Sequence, residues 1–245
     1  MILSLRLAGA KRALLRKALG RYRNTLVVIA ATVITVVITL ELLAPAPAPN
    51  LALPSNASRV LVLSESWAHG DVIALVRHGE RCDRTSTLCL GPEDGITAHG
   101  ELVSQALGQE FRQLGLAHAD IYSSLLTRSR QTAKAMFVRP VNAQDWVFNC
   151  RGTMLRDALK HKVPGRNLVL VTHSECMDDL ESQMHVPTDT TFSYGASLFI
   201  KAQGHGAQPH MLGYIDTKDW NSMVSPKTLA LEPHFEASRL KNPTL

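Results

Sequence analysis

Apolar residues between positions 71 and 216 follow two alternating patterns, short continuous runs and runs with helical spacing. Continuous apolar runs are typical of buried strands, and they predict strands over 71–76, 119–122, 167–172, 192–201 and 210–215. Helical spacing predicts helices over 98–114, 127–137 and 176–184, and Thr97 is expected to be the N-cap of the first of these helices. A Gly-rich turn at 204–206 is expected to join the last two strands.

This alternation of elements predicts the fold class. Strands that alternate with helices are typical of an α/β protein with a mostly parallel sheet and helices on both faces. We expect a single three-layer domain over residues 59–245, because the sequence contains no internal repeat and no second core. In such sheets, ligands bind beyond the carboxyl ends of the strands.

The N-terminal part of the chain has a different pattern. Residues 25–40 carry no charge, and apart from Glu41 the apolar run continues to Leu43. About 19 helical residues span roughly 28 Å, which is close to the hydrocarbon thickness of a bilayer. We therefore predict a basic cytoplasmic head at 1–24, a transmembrane anchor at 25–43 and a Pro/Ala spacer at 44–58. A buried core helix is the alternative, but such helices are rarely uncharged on all sides.

The distribution of charge indicates the orientation of this anchor. Residues 1–24 hold seven of the 26 basic residues and no acidic one, which leaves 19 basic against 21 acidic residues in the rest of the chain. By the positive-inside rule, a single-pass protein of an inner membrane would then expose its domain in the periplasm. Cleavage of the segment as a signal peptide stays open, because Ser55-Asn56-Ala57 resembles a cleavage site. The near-neutral domain has no basic face for nucleic acid, which we do not expect as a partner.

The four cysteines, Cys82, Cys89, Cys150 and Cys176, all follow the predicted anchor. In an exported domain, disulfides can form and persist. Four cysteines allow three pairings. Cys82–Cys89 is the most local pair, and it leaves Cys150–Cys176; four buried free thiols are the alternative.

Three clusters of chemically active residues directly follow three predicted strands. They are Arg-His-Gly-Glu-Arg at 77–81, a segment around Arg128, and Thr-His-Ser-Glu at 172–175. The planar guanidinium group of arginine suits a phosphate dianion, and a neutral imidazole held at one nitrogen can attack phosphorus with the other. The clusters predict a phosphate site at one sheet edge. We expect no metal ion and no other cofactor, because the ten histidines are scattered without ligand spacing.

These clusters resemble the histidine phosphatase superfamily, which includes the phosphoglycerate mutases and the histidine acid phosphatases. Four blocks of the family match in order over about residues 70–216. They are R-H-G at 77–79, I/L-T-x-x-G at 96–100, S-x-L-x-R-A-x-Q-T-A at 124–133 with Ser129 in place of its first Ala, and T-H at 172–173.

The resemblance implies a role for each matched residue. His78 would be the nucleophile that becomes a phosphohistidine, and Arg77, Arg128 and His173 would bind the phosphoryl group. Arg81 matches an additional arginine of the acid-phosphatase branch and would also bind the substrate.

The proton donor departs from the family pattern. Mutase-like members use a Glu between the second and third clusters, but residues 134–172 contain only Asp145 and Asp157 as acids. Acid phosphatases use an Asp directly after the second histidine, where this chain has Ser174 and then Glu175. Asp157 and Glu175 are the two candidates.

A closer resemblance, clear around residues 73–133, is to the exported bacterial lipopolysaccharide core heptose(II)-phosphate phosphatases. It is based on 77–84, Cys89-Leu90 and 121–124 together with the basic, membrane-inserted N-terminus. It implies an exported phosphomonoesterase that acts on a cell-envelope sugar phosphate, as a small molecule or as part of a glycolipid. The alternatives are a broad-specificity acid phosphatase, a phosphoprotein phosphatase, a mutase and a tethered, non-catalytic phosphate-binding protein.

Overall fold

The computed structural model describes residues 2–43, 45–202 and 208–222. The chain divides into two compact units, Met1–Pro45 and Ala46–Leu245. In the first unit, helix α1 runs from Ile2 to Leu43. By length and composition, its part Tyr22–Leu43 can cross a membrane, and it contains the span predicted from the sequence.

The second unit is built on a six-stranded sheet. Its strands are β1 (Val72–Arg77), β2 (Ala119–Ser123), β3 (Asn142–Ala143), β4 (Asn167–Thr172), β5 (Ser197–Lys201) and β6 (His210–Ile215). The strand order is β3-β2-β4-β1-β5-β6. Neighbours from β3 to β1 are parallel, whereas β5 is antiparallel to both β1 and β6. The mostly parallel sheet predicted from the sequence is confirmed.

Helices cover both faces of this sheet. They are α2 (Ala57–Ala68), α3 (Ala98–Leu114), α4 (Thr127–Phe137), α5 (Asp145–Phe148), α6 (Met154–His161) and α7 (Ser174–Gln183). Successive residues of a strand point to opposite faces. Ile73 and Leu75 of β1 therefore pack with apolar residues of α5, α6 and α7, while Ala74 and Val76 pack with those of α2, α3 and α4. The predicted three-layer architecture is confirmed.

Two predicted local features are also present. The side chain of Thr97 accepts a hydrogen bond from the N–H of Gly100 at 2.9 Å, so Thr97 is the N-cap of α3. Both favoured disulfides, Cys82–Cys89 and Cys150–Cys176, are formed. The first closes the loop after β1, and the second ties the start of α7 to the segment before α6.

The segment expected to be a spacer packs on the domain from residue 46 onwards. Ala48 and Leu51 are buried in the core. The N–H of Leu51 donates to the carbonyl of Tyr214, and the N–H of Tyr214 donates to the carbonyl of Pro49. An edge strand such as β6 leaves backbone groups unpaired, and this segment pairs some of them. The domain therefore begins about a dozen residues before the predicted boundary at 59.

The strand predicted over 192–201 is shorter than expected, because β5 begins only at Ser197. Gly195 has φ +78°, which an extended strand does not allow. Helices α2, α5 and α6 and the short strand β3 were not predicted. The expected turn at 204–206 lies outside the described residues.

Candidate active site

His78 lies directly after β1 and is 3% exposed. Its backbone N–H donates to the carbonyl of Thr172 at the end of β4, over 2.9 Å. Its Nδ1 lies 2.8 Å from the carbonyl oxygen of Gly79, which fixes Nδ1 as the protonated nitrogen. Its Nε2 therefore keeps its lone pair, and this nitrogen accepts a hydrogen bond from Nε of Arg128 at 3.2 Å.

The backbone around His78 is locked to two helices. The N–H of Gly79 donates to Oγ1 of Thr132 at 2.8 Å, and that hydroxyl donates to the carbonyl of Arg128. A Cβ at Gly79 would lie 3.1 Å from both the carbonyl oxygen of Gly100 and Oγ of Ser104, so glycine lets the loop pack closely on α3. The loop after β1 and the start of α4 are thereby held in one geometry.

The second histidine, His173, follows β4 and is 5% exposed. Its ring centroid lies 5.3 Å from that of His78. Its Nε2 is 2.7 Å from Oγ of Ser124, which follows β2 and whose N–H donates to the carbonyl of Val171. The ends of β1, β2 and β4 thus bring the three predicted clusters together, as expected for parallel strands.

Electrostatics keep both imidazoles neutral near pH 7 in this structure. Burial lowers the pKa of His78 to about 3; the hydrogen bond to Gly79 opposes this effect, and the nearby His173 and Arg128 add to it. Burial lowers the pKa of His173 to about 4, and Arg128 is the next largest cause. A neutral imidazole is the form that a nucleophile requires.

The three predicted arginines differ in what they contact. Arg77 donates from Nη1 to the carbonyl of Phe192, and Arg128 donates to His78. The guanidinium group of Arg81 is held by both carboxylate oxygens of Asp83, which raises the pKa of Arg81. The charge of Arg81 nevertheless acts on His173 and Arg128, so all three arginines lie around the two histidines.

The structure brings Glu175 to this site but not Asp157. Glu175 lies in the first turn of α7, and its charge acts on Arg81, Arg128 and His173. A hydrogen bond from its own backbone N–H lowers the pKa of Glu175. Asp157 lies on α6 and binds Arg156 at 2.9 Å, a contact that lowers its pKa. Of the two candidate acids, Glu175 is the one whose charge acts on these site groups.

Sequence reasoning missed two residues of the site. Asp178 follows Glu175 by one helical turn, and its pKa is raised by burial and by Glu175 but lowered by Arg77, so it lies near both. Tyr194 lies against Arg77 and also near His78, with ring centroids 5.7 Å apart. Neither residue belongs to one of the matched family motifs, and no spacing pattern distinguishes a single functional Asp or Tyr from any other.

Within the described parts of the chain, no group of three or more His, Cys, Asp or Glu side chains could hold a metal ion.

Comparison with known proteins agrees with this geometry. Residues 73–144 match the model of the histidine phosphatase superfamily (branch 1). This segment is similar to the histidine phosphatases. The matched range includes Arg77, His78, Arg81 and Arg128 but ends before His173.

Part of the chain is also similar to curated proteins of one name. Lipopolysaccharide core heptose(II)-phosphate phosphatase of Escherichia coli O1:K1 is 34% identical over 109 residues, which are 43% of this chain and 54% of that protein. The protein of the same name from Shigella flexneri serotype 5b is 34% identical over 110 residues, with the same shares of both chains. The chain thus spans about half the length of the curated relatives it matches.

Two solved phosphatase structures are also similar to part of the chain. Phosphoserine phosphatase from Entamoeba histolytica is 14% identical with a TM-score of 0.48, and the match covers 61% of this chain and 98% of that one. A mycobacterial glucosyl-3-phosphoglycerate phosphatase is 14% identical with a TM-score of 0.43, covering 58% and 96% of the two chains.

Proposed function

We propose that this protein is a phosphomonoesterase that works through a phosphohistidine at His78. The observation that carries the proposal is the hydrogen bonding of the His78 ring. Nδ1 is held by the carbonyl of Gly79, and Nε2 keeps its lone pair beside the guanidinium group of Arg128. An imidazole fixed at one nitrogen and free to attack with the other is an activated nucleophile.

The surrounding charges suit a phosphate dianion. The planar guanidinium groups of Arg77 and Arg128 can donate paired hydrogen bonds that match phosphate oxygens. Arg81 also binds the phosphate when its guanidinium group releases the carboxylate of Asp83. A dianion next to His173 raises the pKa of that imidazole, so His173 takes up a proton and stabilises the charge on the equatorial oxygens. The proposal includes no metal ion and no other cofactor, because these cations neutralise the phosphate.

The reaction then proceeds in two steps. Nε2 of His78 bonds to phosphorus while the bond from phosphorus to the leaving oxygen breaks, and an acid protonates that oxygen. Water next attacks the phosphohistidine, the same group accepts its proton, and phosphate leaves with His78 neutral again. Glu175 is our candidate for this acid, since the bound dianion would raise its lowered pKa. Asp178, one turn further along α7, is the alternative.

We further propose that the domain is exported and tethered. In this proposal the helix segment Tyr22–Leu43 is a single-pass anchor in an inner membrane, with the basic head in the cytoplasm and the domain in the periplasm. Three features support it: the apolar helix, the seven basic residues before it and two disulfides that suit an oxidising compartment. We also propose a substrate. Because the curated relatives that match part of the chain are named lipopolysaccharide core heptose(II)-phosphate phosphatases, we propose a cell-envelope sugar phosphate, such as lipopolysaccharide core heptose phosphate.

The function can be tested on the full-length protein in detergent. We expect release of phosphate from p-nitrophenyl phosphate and from phosphorylated lipopolysaccharide, at rates that EDTA leaves unchanged. Rapid quenching should trap a phosphoenzyme that is labile in acid and stable in base. Activity that is lost in EDTA and restored by a divalent ion, or turnover without any such phosphoenzyme, would contradict the mechanism.

The proposed location has its own test. Alkaline phosphatase or a cytoplasmic reporter is fused after residue 57, and we expect only the exported reporter to be active. The protein isolated from cells should also retain residues 1–24. A mature protein that begins near residue 58 would show that the apolar helix is a cleaved signal peptide.

A further inference from the structure

Residues 192–195, which form the turn before β5, contact Arg77 at several atoms. The carbonyl of Phe192 accepts the hydrogen bond from Nη1 of Arg77. The ring of Tyr194 lies under the guanidinium group, with Cζ of Arg77 4.2 Å from the ring centroid. The N–H of Gly195 also donates to the carbonyl of Arg77 at 3.1 Å. We call residues 192–195 the arginine clamp.

From these contacts, we propose that Tyr194 is a positioning residue, whose ring holds the guanidinium group of Arg77 in the orientation that binds the phosphoryl group. The inference deepens the proposed function and rests on it, because that function assigns Arg77 to the phosphate.

The contacts decide which edge of Arg77 faces the ligand. A guanidinium group binds an oxyanion best through two parallel N–H groups. Nη1 is occupied by the carbonyl of Phe192. Nε is buried and has no hydrogen-bond partner among the described residues. One N–H of Nη1 is thus taken, whereas the edge formed by Nε and Nη2 keeps both of its donors, and we assign this edge to the phosphate. The ring of Tyr194 fixes the plane of that edge.

The clamp is itself held by the segment after β6, so Tyr194 has little freedom to move. The side chain of Ser193 donates to a carboxylate oxygen of Asp216. The hydroxyl of Thr217 donates to the carbonyl of Tyr194 at 2.7 Å. At Gly195, with φ +78°, any added Cβ would press on the side chain of Thr217, so the turn requires glycine. A ring on a fixed backbone can orient a flexible arginine at low entropic cost.

The hydroxyl of Tyr194 offers a competing explanation. It lies near enough to Arg81 to contribute to the raised pKa of that residue. If Tyr194 acted through its hydroxyl, Arg81 and not Arg77 would be its target. The proposal requires the aromatic face instead, since a cation above such a face is stabilised by the ring quadrupole.

Three variants of the full-length protein in detergent separate these explanations. They are Tyr194→Phe, which keeps the ring, Tyr194→Leu, which removes it, and Tyr122→Leu, a matched change on β2, where Tyr122 packs on Trp146. Binding of inorganic phosphate is measured by titration calorimetry, and KM and kcat are measured with p-nitrophenyl phosphate. Thermal unfolding checks the fold; if the Leu variant does not fold, Tyr194→Met replaces it.

We expect Tyr194→Leu to weaken phosphate binding and to raise KM by about tenfold, within the range of a partly buried cation–π contact. The value of kcat should change less than threefold, because Arg77 contacts the phosphoryl group in the ground state and in the transition state alike. Tyr194→Phe and Tyr122→Leu should stay within twofold of the wild type. In an Arg77→Ala background, Tyr194→Leu should weaken phosphate binding no further.

Three results would overturn the inference. The first is unchanged phosphate binding in Tyr194→Leu, and the second is a weakening of phosphate binding in Tyr194→Phe that equals that in Tyr194→Leu. The third is that Tyr194→Leu weakens phosphate binding as much in the Arg77→Ala background as in the wild type. The calorimetry does not depend on turnover. A wild-type protein that binds phosphate through this pair but hydrolyses no phosphomonoester would therefore contradict the proposed function and leave the positioning role of Tyr194 intact.

Discussion

The strand-end edge of the sheet and the arginine clamp meet at Arg77, but they hold it in different ways. At the edge, Arg77, His78 and His173 are placed by the ends of β1 and β4. These parallel strands are buried except at Arg77, and their register leaves little choice of position. At the clamp, a turn is held by side chains from another segment, through Ser193 to Asp216 and Thr217 to Tyr194. In the proposed mechanism, regular structure would place the nucleophile, and irregular structure would orient one arginine that binds the phosphate.

This difference leads to different expectations for substitution. A change at His78 removes the nitrogen that bonds to phosphorus in the proposed mechanism, so it should reduce kcat. A change at the clamp leaves every reacting group in place and loosens one phosphate ligand, so it should mainly weaken binding.

The largest effect should come from His78→Ala. Without the nucleophile, the two-step reaction has no covalent intermediate, and we expect kcat to fall on the order of 10⁴-fold or more. The ring lies at the end of a strand, and thermal unfolding should change little. The exposed His69, which follows α2 and precedes β1, provides the control, and His69→Ala should keep its activity. Near-normal turnover in His78→Ala would contradict the phosphohistidine mechanism.

The next largest effect should separate the acids near the edge. We expect Glu175→Gln to slow hydrolysis of a sugar phosphate by about 10²–10³-fold, because its leaving oxygen needs a proton. The loss should be much smaller for p-nitrophenyl phosphate, whose leaving group is a weak base. Asp157→Asn, on α6 beside Arg156, is the matched control and should stay within twofold.

If Asp178→Asn reproduces the dependence on leaving group and Glu175→Gln does not, the donor is Asp178. Equal losses for both substrates in both variants would show that neither carboxyl group protonates the leaving oxygen.

These two regions also differ in what the sequence could reveal. The strand ends were predictable because apolar runs mark β1 and β4, and a parallel sheet must bring their carboxyl ends to one edge. The clamp was not predictable, because residues 192–196 are apolar enough to continue a strand, and only contacts with residues 77, 216 and 217 make them a turn. The surroundings of Asp157 were not predictable for a similar reason, because its position on α6 depends on a helix that the sequence pattern did not reveal.

Stability should depend on pH in opposite directions at the two histidines of the edge and at Glu181 of α7. The pKa values of His78 and His173 are lowered to about 3 and about 4, so the unfolded chain binds more protons than the folded chain below pH 6.5. The edge therefore loses stability as pH falls from 6.5 towards about 3. On α7, burial, with Asp178 as the next cause, raises the pKa of Glu181 to about 7. The folded chain then binds more protons than the unfolded chain between pH 4.5 and 7, so this contribution is lost as pH rises through 7.

Glu181→Gln tests this second contribution, because the amide imitates the protonated acid. We expect the variant to be more stable than the wild type by about 2 kcal/mol at pH 8 and nearly equal to it at pH 4.5, in urea unfolding followed by fluorescence. Glu175→Gln, on the exposed first turn of the same helix, is the control and should show no gain at pH 8. A gain of equal size at both pH values would mean that Glu181 does not titrate in this range.

The smallest effect should come from the support of the clamp. Asp216 accepts hydrogen bonds from both the side chain and the backbone N–H of Ser193, the latter at 3.3 Å. Asp216→Ala removes these bonds but no contact to Arg77, so Tyr194 should stay near the guanidinium group with more freedom. We expect phosphate binding to weaken by about threefold to fivefold, less than for Tyr194→Leu, because a hydrogen bond to a charged group contributes modestly and the Thr217 bond remains. Ser193→Ala should give a similar or smaller change, since it removes only the hydroxyl donor. Titration calorimetry with inorganic phosphate measures both variants, and kcat should stay within twofold. If Asp216→Ala lowers kcat as strongly as an edge variant does, the clamp takes part in the chemistry and does not merely orient Arg77.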